Sequence, residues 1–286
     1  SDVCSSDLEL LLRTAKPVNT RGGKTKKLGG EDSTVENPST IYAFVVGTND
    51  YVSDTVWADL QNPGNDAKMV AALLTARYGA KTTLLIDQGY DQILDSMERL
   101  QDKVDSNDRF IFFIAGHGYY RHKDRSGYLV FKDSKPFDQD PSLRHSYMHM
   151  STLNHRLNYL PCKQVFAIFD VCFGAQFDPA GKDLKLATYN ELQLDLDFER
   201  FMDRKHKYRS RIFMASGRYE VFDYWDNSLD HSPFANKLIK ALSEEADFTS
   251  PGKLFANLEG NATEPVLRWF GDHEPRGDFI LKTLAE

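Results

Sequence analysis

Two short stretches of the chain carry residue types suited to nucleophilic chemistry. The first is Gln164 to Gln176, QVFAIFDVCFGAQ, in which Val165 to Phe169 form a continuous apolar run. That is the pattern of a strand buried on both faces of a parallel sheet. The run breaks into Asp170-Val171-Cys172-Phe173-Gly174-Ala175, so a carboxylate, a thiol and a glycine stand where a buried strand gives way to a loop. In open parallel sheets ligands bind at that rim, outside the carboxyl ends of the strands. The second stretch, Arg109 to Ala115, has the same shape and ends in Gly116-His117-Gly118. As neighbouring parallel strands, the two would bring His117 and Cys172 side by side. Their separation of 55 residues in sequence is enough for a crossover connection. An imidazole beside a thiol raises the thiolate fraction, the minimum for a cysteine nucleophile. A single cysteine after an apolar run is more often packing. Gly-His-Gly closing a matching strand argues otherwise, because its glycines leave little packing around the ring and let another segment come close.

The motifs Ala115-Gly116-His117-Gly118 and Asp170-Val171-Cys172-Phe173-Gly174-Ala175, in that order and spacing, resemble the caspase-like cysteine peptidases. The likeness is to the bacterial and metacaspase side of that clan, over about residues 40–286. Caspases also place the histidine roughly 50 residues before the cysteine. The resemblance implies an α/β protein with a three-layer α/β/α caspase-like fold and a mostly parallel central sheet. It implies a cysteine-type endopeptidase acting on protein or peptide substrates, with no cofactor and no metal. Cys172 would attack the scissile carbonyl; His117 would take the thiol proton and return it to the leaving amine. The backbone N–H groups of Gly118 and Cys172 are expected to receive the oxyanion. No third acidic residue is expected, since a thiol needs less activation than a hydroxyl.

Asp170 lies two residues before Cys172, so in a strand both side chains fall on one face. A carboxylate there hinders thiolate formation and makes more sense meeting a cation on the substrate. In metacaspases the matching Asp and the Asp of an Asn-Asp-Ala motif receive a basic side chain, and Asn65-Asp66-Ala67 matches that motif. The resemblance therefore implies cleavage after Arg or Lys over a floor of Asp66 and Asp170. Two plainer roles stand beside this one: Asp66 as a helix cap, and Asp170 as a structural acceptor. Glu220 extends an acidic rim or is an exposed loop acid. The chain also departs from its relatives. It has Asp-Val-Cys-Phe-Gly where classical caspases carry Gln-Ala-Cys-Arg-Gly, which argues against specificity for Asp. Phe173, Gly174 and Ala115 also differ from the usual metacaspase residues.

Local signals along the chain mark the strands and helices around these groups. Ile41 to Gly47 reads as a buried strand and Thr48-Asn49-Asp50 as a turn. Pro63-Gly64-Asn65-Asp66 opens a helix, with Asp66 placed to cap it, and Gly79 ends it. Lys81 to Ile86 is a second strand, Ile93 to Val104 a second helix, and Asp108 to Ala115 a third strand. This β-α-β-α-β order specifies a mostly parallel sheet covered by helices. Gly127 to Phe131 reads as a short strand, Lys132 to His149 as a loop and Ser151 to Tyr159 as a helix. Residues 176 to 209 form a polar excursion with one helix from Asn190 to Met202. Arg211 to Ala215 is another buried strand, Ser232-Pro233 starts a helix running to about Leu242, and Asp278 to Leu281 is a closing strand. Lys182, Lys185, Arg200, Arg204 and Lys205 lie in or near the excursion, where self-cleavage would suit a basic preference.

The 286 residues, 41% hydrophobic and 27% charged, suit a globular protein with a proper core. A net charge of −7 argues against a nucleic-acid partner, and no stretch has the apolar length of a membrane helix. Three cysteines make no disulfide framework and show no zinc-ligand spacing, which points to a reducing, cytoplasmic location. Cys162 reads as structural, at a strand entrance. Residues 1–39 are read as a non-native leader and polar linker. Ser1 to Leu8 resembles a translated sequencing adaptor, Leu8 to Arg13 the end of a helix, and residues 16 to 39 a basic tether. Together they suggest the remnant of a longer protein with an upstream regulatory domain, followed by a peptidase domain over residues 40–286. Two other classes compete: a catalytically idle caspase-like scaffold that binds partners, and a flavodoxin-like nucleotide module. The second lacks a glycine-rich phosphate loop after its first strand.

Overall fold

Apolar runs and turn chemistry lay down an alternating α/β chain. The structure, a computed structural model, describes residues 39–53, 55–184, 205–217, 230–244, 246–258 and 264–284. Strand β1 (Ile41–Gly47) is followed by helix α1 (Pro63–Tyr78), β2 (Lys81–Ile86), α2 (Tyr90–Gln101) and β3 (Arg109–Gly116). A small antiparallel ribbon comes next: β4 (Gly118–Arg121), β5 (Ser126–Val130) and β6 (Tyr147–His149). Helix α3 (Met150–Asn158) leads into β7 (Gln164–Val171). Beyond a short 3-10 turn at Gly174–Phe177 the chain continues through β8 (Ser210–Ala215), α4 (Pro233–Ser243), β9 (Phe248–Thr249), α5 (Pro251–Ala256), β10 (Val266–Trp269) and β11 (Leu281–Lys282).

The central sheet has six strands in the order β10-β8-β7-β3-β1-β2. All its pairings are parallel except β10 with β8. All eight residues of β7 are buried, as expected of a strand covered on both faces. One face of the sheet packs Ala43, Val45, Ile111, Phe113, Phe166 and Ile168 against α1 and α4. The other packs Phe44, Phe110, Phe112, Val165 and Phe169 against residues of α2 and α3. The two-residue side-chain period of a strand thus splits each apolar run between two cores, which is the α/β/α layering the resemblance implied. No helix among the described residues is long and apolar enough to cross a membrane.

Several boundaries differ from expectation. Helix α2 starts at Tyr90, where the Asp133 carboxylate accepts its backbone N–H at 2.8 Å, three residues before the periodicity becomes apolar. The ribbon strands β4 and β6 and the antiparallel edge β10 have no strong sequence pattern, being short and only partly buried. The closing strand is only Leu281–Lys282, and it pairs with β9 outside the central sheet. Asp66 is not a helix cap. Pro63 occupies the first turn of α1, and the helix N-terminus is held instead by Asn49, whose Oδ1 accepts the Gly64 N–H at 2.6 Å. Cys162 is fully buried before β7, and burial pushes its thiol up to about 11. Residues 1–38 and 185–204, with the leader, the linker, the excursion helix, Lys185, Arg200 and Arg204, lie outside the described residues, as does Glu220.

Candidate active site

The rim of the sheet is set by register. Strands β3 and β7 are parallel neighbours, with Ala115 opposite Asp170 and Gly116 opposite Val171. One residue further along each strand stand His117 and Cys172. The same glycines make the approach close. A β-carbon on Gly118 would lie 2.0 Å from the Cys172 carbonyl oxygen, and Gly116 has φ +151° with the Tyr51 hydroxyl 2.9 Å from where its β-carbon would be. Neither position tolerates a side chain. After the thiol, Phe173 takes a left-handed conformation with φ 58°, stacked on Tyr120 at 5.6 Å, and turns the chain into Gly174–Phe177.

A cavity of about 470 Å³ opens at this rim, and His117, Gly118, Asp170, Cys172, Asp66 and Ser232 line it. All the residues singled out in the sequence for catalysis, oxyanion binding and substrate binding therefore meet at one place. The Gly118 N–H has a defined direction. Val130 N–H donates to the His117 carbonyl at 3.2 Å, which makes that cross-strand position the hydrogen-bonded one. Gly118 and Leu129, one step on, are then a non-bonded pair whose N–H and C=O groups point away from each other. The Gly118 N–H faces away from β5.

The histidine is held from three sides. Its Nε2 lies 2.8 Å from the Ala58 carbonyl oxygen, which can only accept, so Nε2 carries the proton and Nδ1 is the basic nitrogen of the neutral ring. Its backbone N–H donates to the Tyr51 hydroxyl at 2.9 Å, and that hydroxyl donates to the Thr48 carbonyl at 3.1 Å. The rings of Tyr51 and Trp57 pack on the imidazole at 4.8 and 5.4 Å between centroids. The loop bearing both aromatics is tied down by Asp87, whose Oδ1 accepts the backbone N–H groups of Asn49 and Asp50.

The two carboxylates share a partner segment. Asp66 and Asp170 are 1% and 8% exposed, and buried carboxylates need compensation. His231 Nδ1 donates to Asp66 Oδ1 at 2.6 Å, and the Ser232 N–H reaches Asp66 Oδ2 at 3.4 Å. The Ser232 hydroxyl donates to Asp170 Oδ2 at 2.5 Å while accepting the Ala235 N–H at 2.9 Å as the N-cap of α4. Sequence reasoning found Ser232 only as a cap and passed over His231, Tyr51 and Ala58. No local pattern marks them, because each acts through a contact distant in sequence.

A mostly parallel six-stranded sheet covered by helices on both faces, with a thiol and an imidazole at neighbouring strand ends, is a caspase-like arrangement. A family model of the caspase domain (peptidase C14) matches residues 40–262, and the chain belongs to that family. Its domain has the cysteine-peptidase type of fold. Among solved structures it is similar to a protein of Geobacter sulfurreducens, at 14% identity over 85% of this chain and 97% of that one, TM-score 0.55. It is similar to caspase-1 from Spodoptera frugiperda, at 13% identity over 86% and 96%, TM-score 0.52. It also resembles the Drosophila initiator caspase Dronc, at 10% identity over 91% and 94%, TM-score 0.53. At these identities the likeness is one of fold. A comparison with curated proteins finds no match.

Proposed function

We propose that the chain is a cysteine endopeptidase in which Cys172 is the nucleophile and His117 the base, cleaving protein substrates after Arg or Lys. The observation that carries this reading is the β3–β7 register, which sets thiol and imidazole at adjacent strand ends in a cavity also lined by two buried carboxylates. His117 takes the thiol proton at Nδ1, the nitrogen left basic by the Ala58 carbonyl. The thiolate attacks the scissile carbonyl, and the N–H groups of Gly118 and Cys172 receive the oxyanion. The imidazolium then protonates the leaving amine, and water resolves the thioester. Asp66 and Asp170 meet the basic side chain that precedes the scissile bond. Such a thiol works in a reducing compartment, and we place the enzyme in the cytoplasm. The reading is tested by hydrolysis of fluorogenic peptides ending in Arg, Lys or Asp, with Cys172→Ala in parallel. Release after Arg or Lys that the substitution abolishes supports it, whereas release only after Asp overturns the acidic pocket.

A further inference from the structure

We propose that His231, with Ser232, is a specificity-determining positioning residue that sets the acidic floor for the forked guanidinium of Arg over the ammonium of Lys. The inference rests on the basic-substrate reading above and extends it to the residues that hold the two carboxylates in place. Asp66 comes from the first helix of the domain and Asp170 from the fourth strand of the parallel sheet. They are joined by adjacent residues 165 positions beyond Asp66 and 62 beyond Asp170. The Asp66 carboxylate is fixed at both oxygens, by the His231 ring at 2.6 Å and the Ser232 N–H at 3.4 Å, and Asp170 is fixed at Oδ2 by the Ser232 hydroxyl at 2.5 Å.

Turning the Asp66 carboxylate toward a single substrate nitrogen therefore costs it a hydrogen bond. An ammonium offers three donors from one nitrogen, so it gains most where two carboxylates close around it. A guanidinium offers five N–H donors across a rigid plane and can reach each carboxylate where it is held. The same segment begins α4, with Ser232 as its N-cap and Pro233 in its first turn. The holder of the floor is therefore anchored in a helix that packs against α1, the helix that carries Asp66.

The test measures kcat and KM for matched peptides ending in Arg and in Lys, for wild type, His231→Ala, His231→Asn and Asp66→Asn. The Arg-to-Lys ratio of kcat/KM is read within one preparation, so the folded fraction cancels. Expected is a wild-type preference for Arg of about tenfold or more, the worth of one charge-assisted hydrogen bond. His231→Ala should cut that ratio about tenfold through KM for the Arg peptide. His231→Asn, which keeps an N–H donor near the position of Nδ1, should restore most of it. An unchanged ratio in His231→Ala, alongside loss of Arg cleavage in Asp66→Asn, overturns the positioning role and leaves the acidic pocket standing. Arg cleavage at the wild-type level in Asp66→Asn overturns the pocket itself.

Discussion

Gly118→Ala is the sharpest single perturbation of this site. A methyl group at that position meets the Cys172 carbonyl oxygen at 2.0 Å and its carbon at 3.0 Å. Ordinary contact begins near 3.4 Å, so β4 and the Cys172 turn must part by about 1.4 Å, the shortfall against van der Waals separation. Both sides of the clash are backbone, so no side chain can swing aside to relieve it. Displacing a reacting group by about 1 Å costs on the order of 100-fold in rate, and the substitution also moves the Gly118 N–H proposed for the oxyanion. We expect kcat/KM toward an Arg-ending peptide to fall by about 100-fold or more. Overpacking adds about 1–3 kcal/mol of destabilisation, a fall in Tm of about 2–4 °C for each kcal/mol in a domain of this size. Peptide hydrolysis and thermal unfolding, run on the same preparation, separate the two effects. A Gly118→Ala enzyme within about threefold of wild-type kcat/KM would refute the close approach as a requirement of the site.

Tyr51→Phe removes the hydroxyl between the His117 N–H and the Thr48 carbonyl; kcat should fall about tenfold with KM little changed, at a cost near 1–3 kcal/mol for the N–H left unpaired. Asp170→Asn should raise KM for Arg-ending peptides by about tenfold or more through loss of a charge-assisted contact, while a peptide without a basic residue there should show no such rise. In the native protein at pH 8, alkylation mapped by mass spectrometry should modify Cys172 and spare Cys162, whose buried thiol is pushed up to about 11; rapid modification of Cys162 would contradict its burial. His273 is pushed down to about 4, by burial first and then by Arg211, and it accepts the Arg211 N–H at 3.0 Å. The unfolded chain therefore binds a proton that the native state refuses between about pH 6.5 and 4. This stability is complete above pH 6.5 and is lost as pH falls through that window. Urea unfolding of wild type and His273→Gln at several pH values should show a shallower acid loss in the variant.

Arg211 shows how the fold pairs groups that no local pattern links. It is fully buried in β8, and its guanidinium donates to the carbonyl oxygens of Asn158, Leu160, Cys162, Lys163 and Ser210. The apolar strand pattern around it hides the charge from sequence reading, while the end of α3 and the chain leaving it supply four of the five acceptors that make the burial tolerable. The same logic governs Asp66. Its helical position suggested a cap, a local role, whereas its partners are the distant His231 and Ser232.

The sequence alone determined what local forces decide. Apolar runs from Ile41, Arg109, Gln164 and Arg211 marked buried strands, because residues covered on both sides must be apolar throughout. Gly79 and Ser232-Pro233 marked helix ends, because those residues satisfy or avoid the unpaired groups of a terminus. The Gly-His-Gly and Asp-Val-Cys motifs marked the strand ends where chemistry was possible. Only the tertiary structure decided which strand lies beside which, and so the placing of His117 next to Cys172. It alone gave Asp66 its partners, the imidazole its tautomer through Ala58, and the Gly118 N–H its direction. The physical reason is that propensity and periodicity act over a few residues, whereas the pairings of His117 with Cys172 and Ala58, and of Asp66 with His231, join residues 55, 59 and 165 positions apart. Packing of the two faces of the sheet chooses among such pairings, and no short window of sequence contains it.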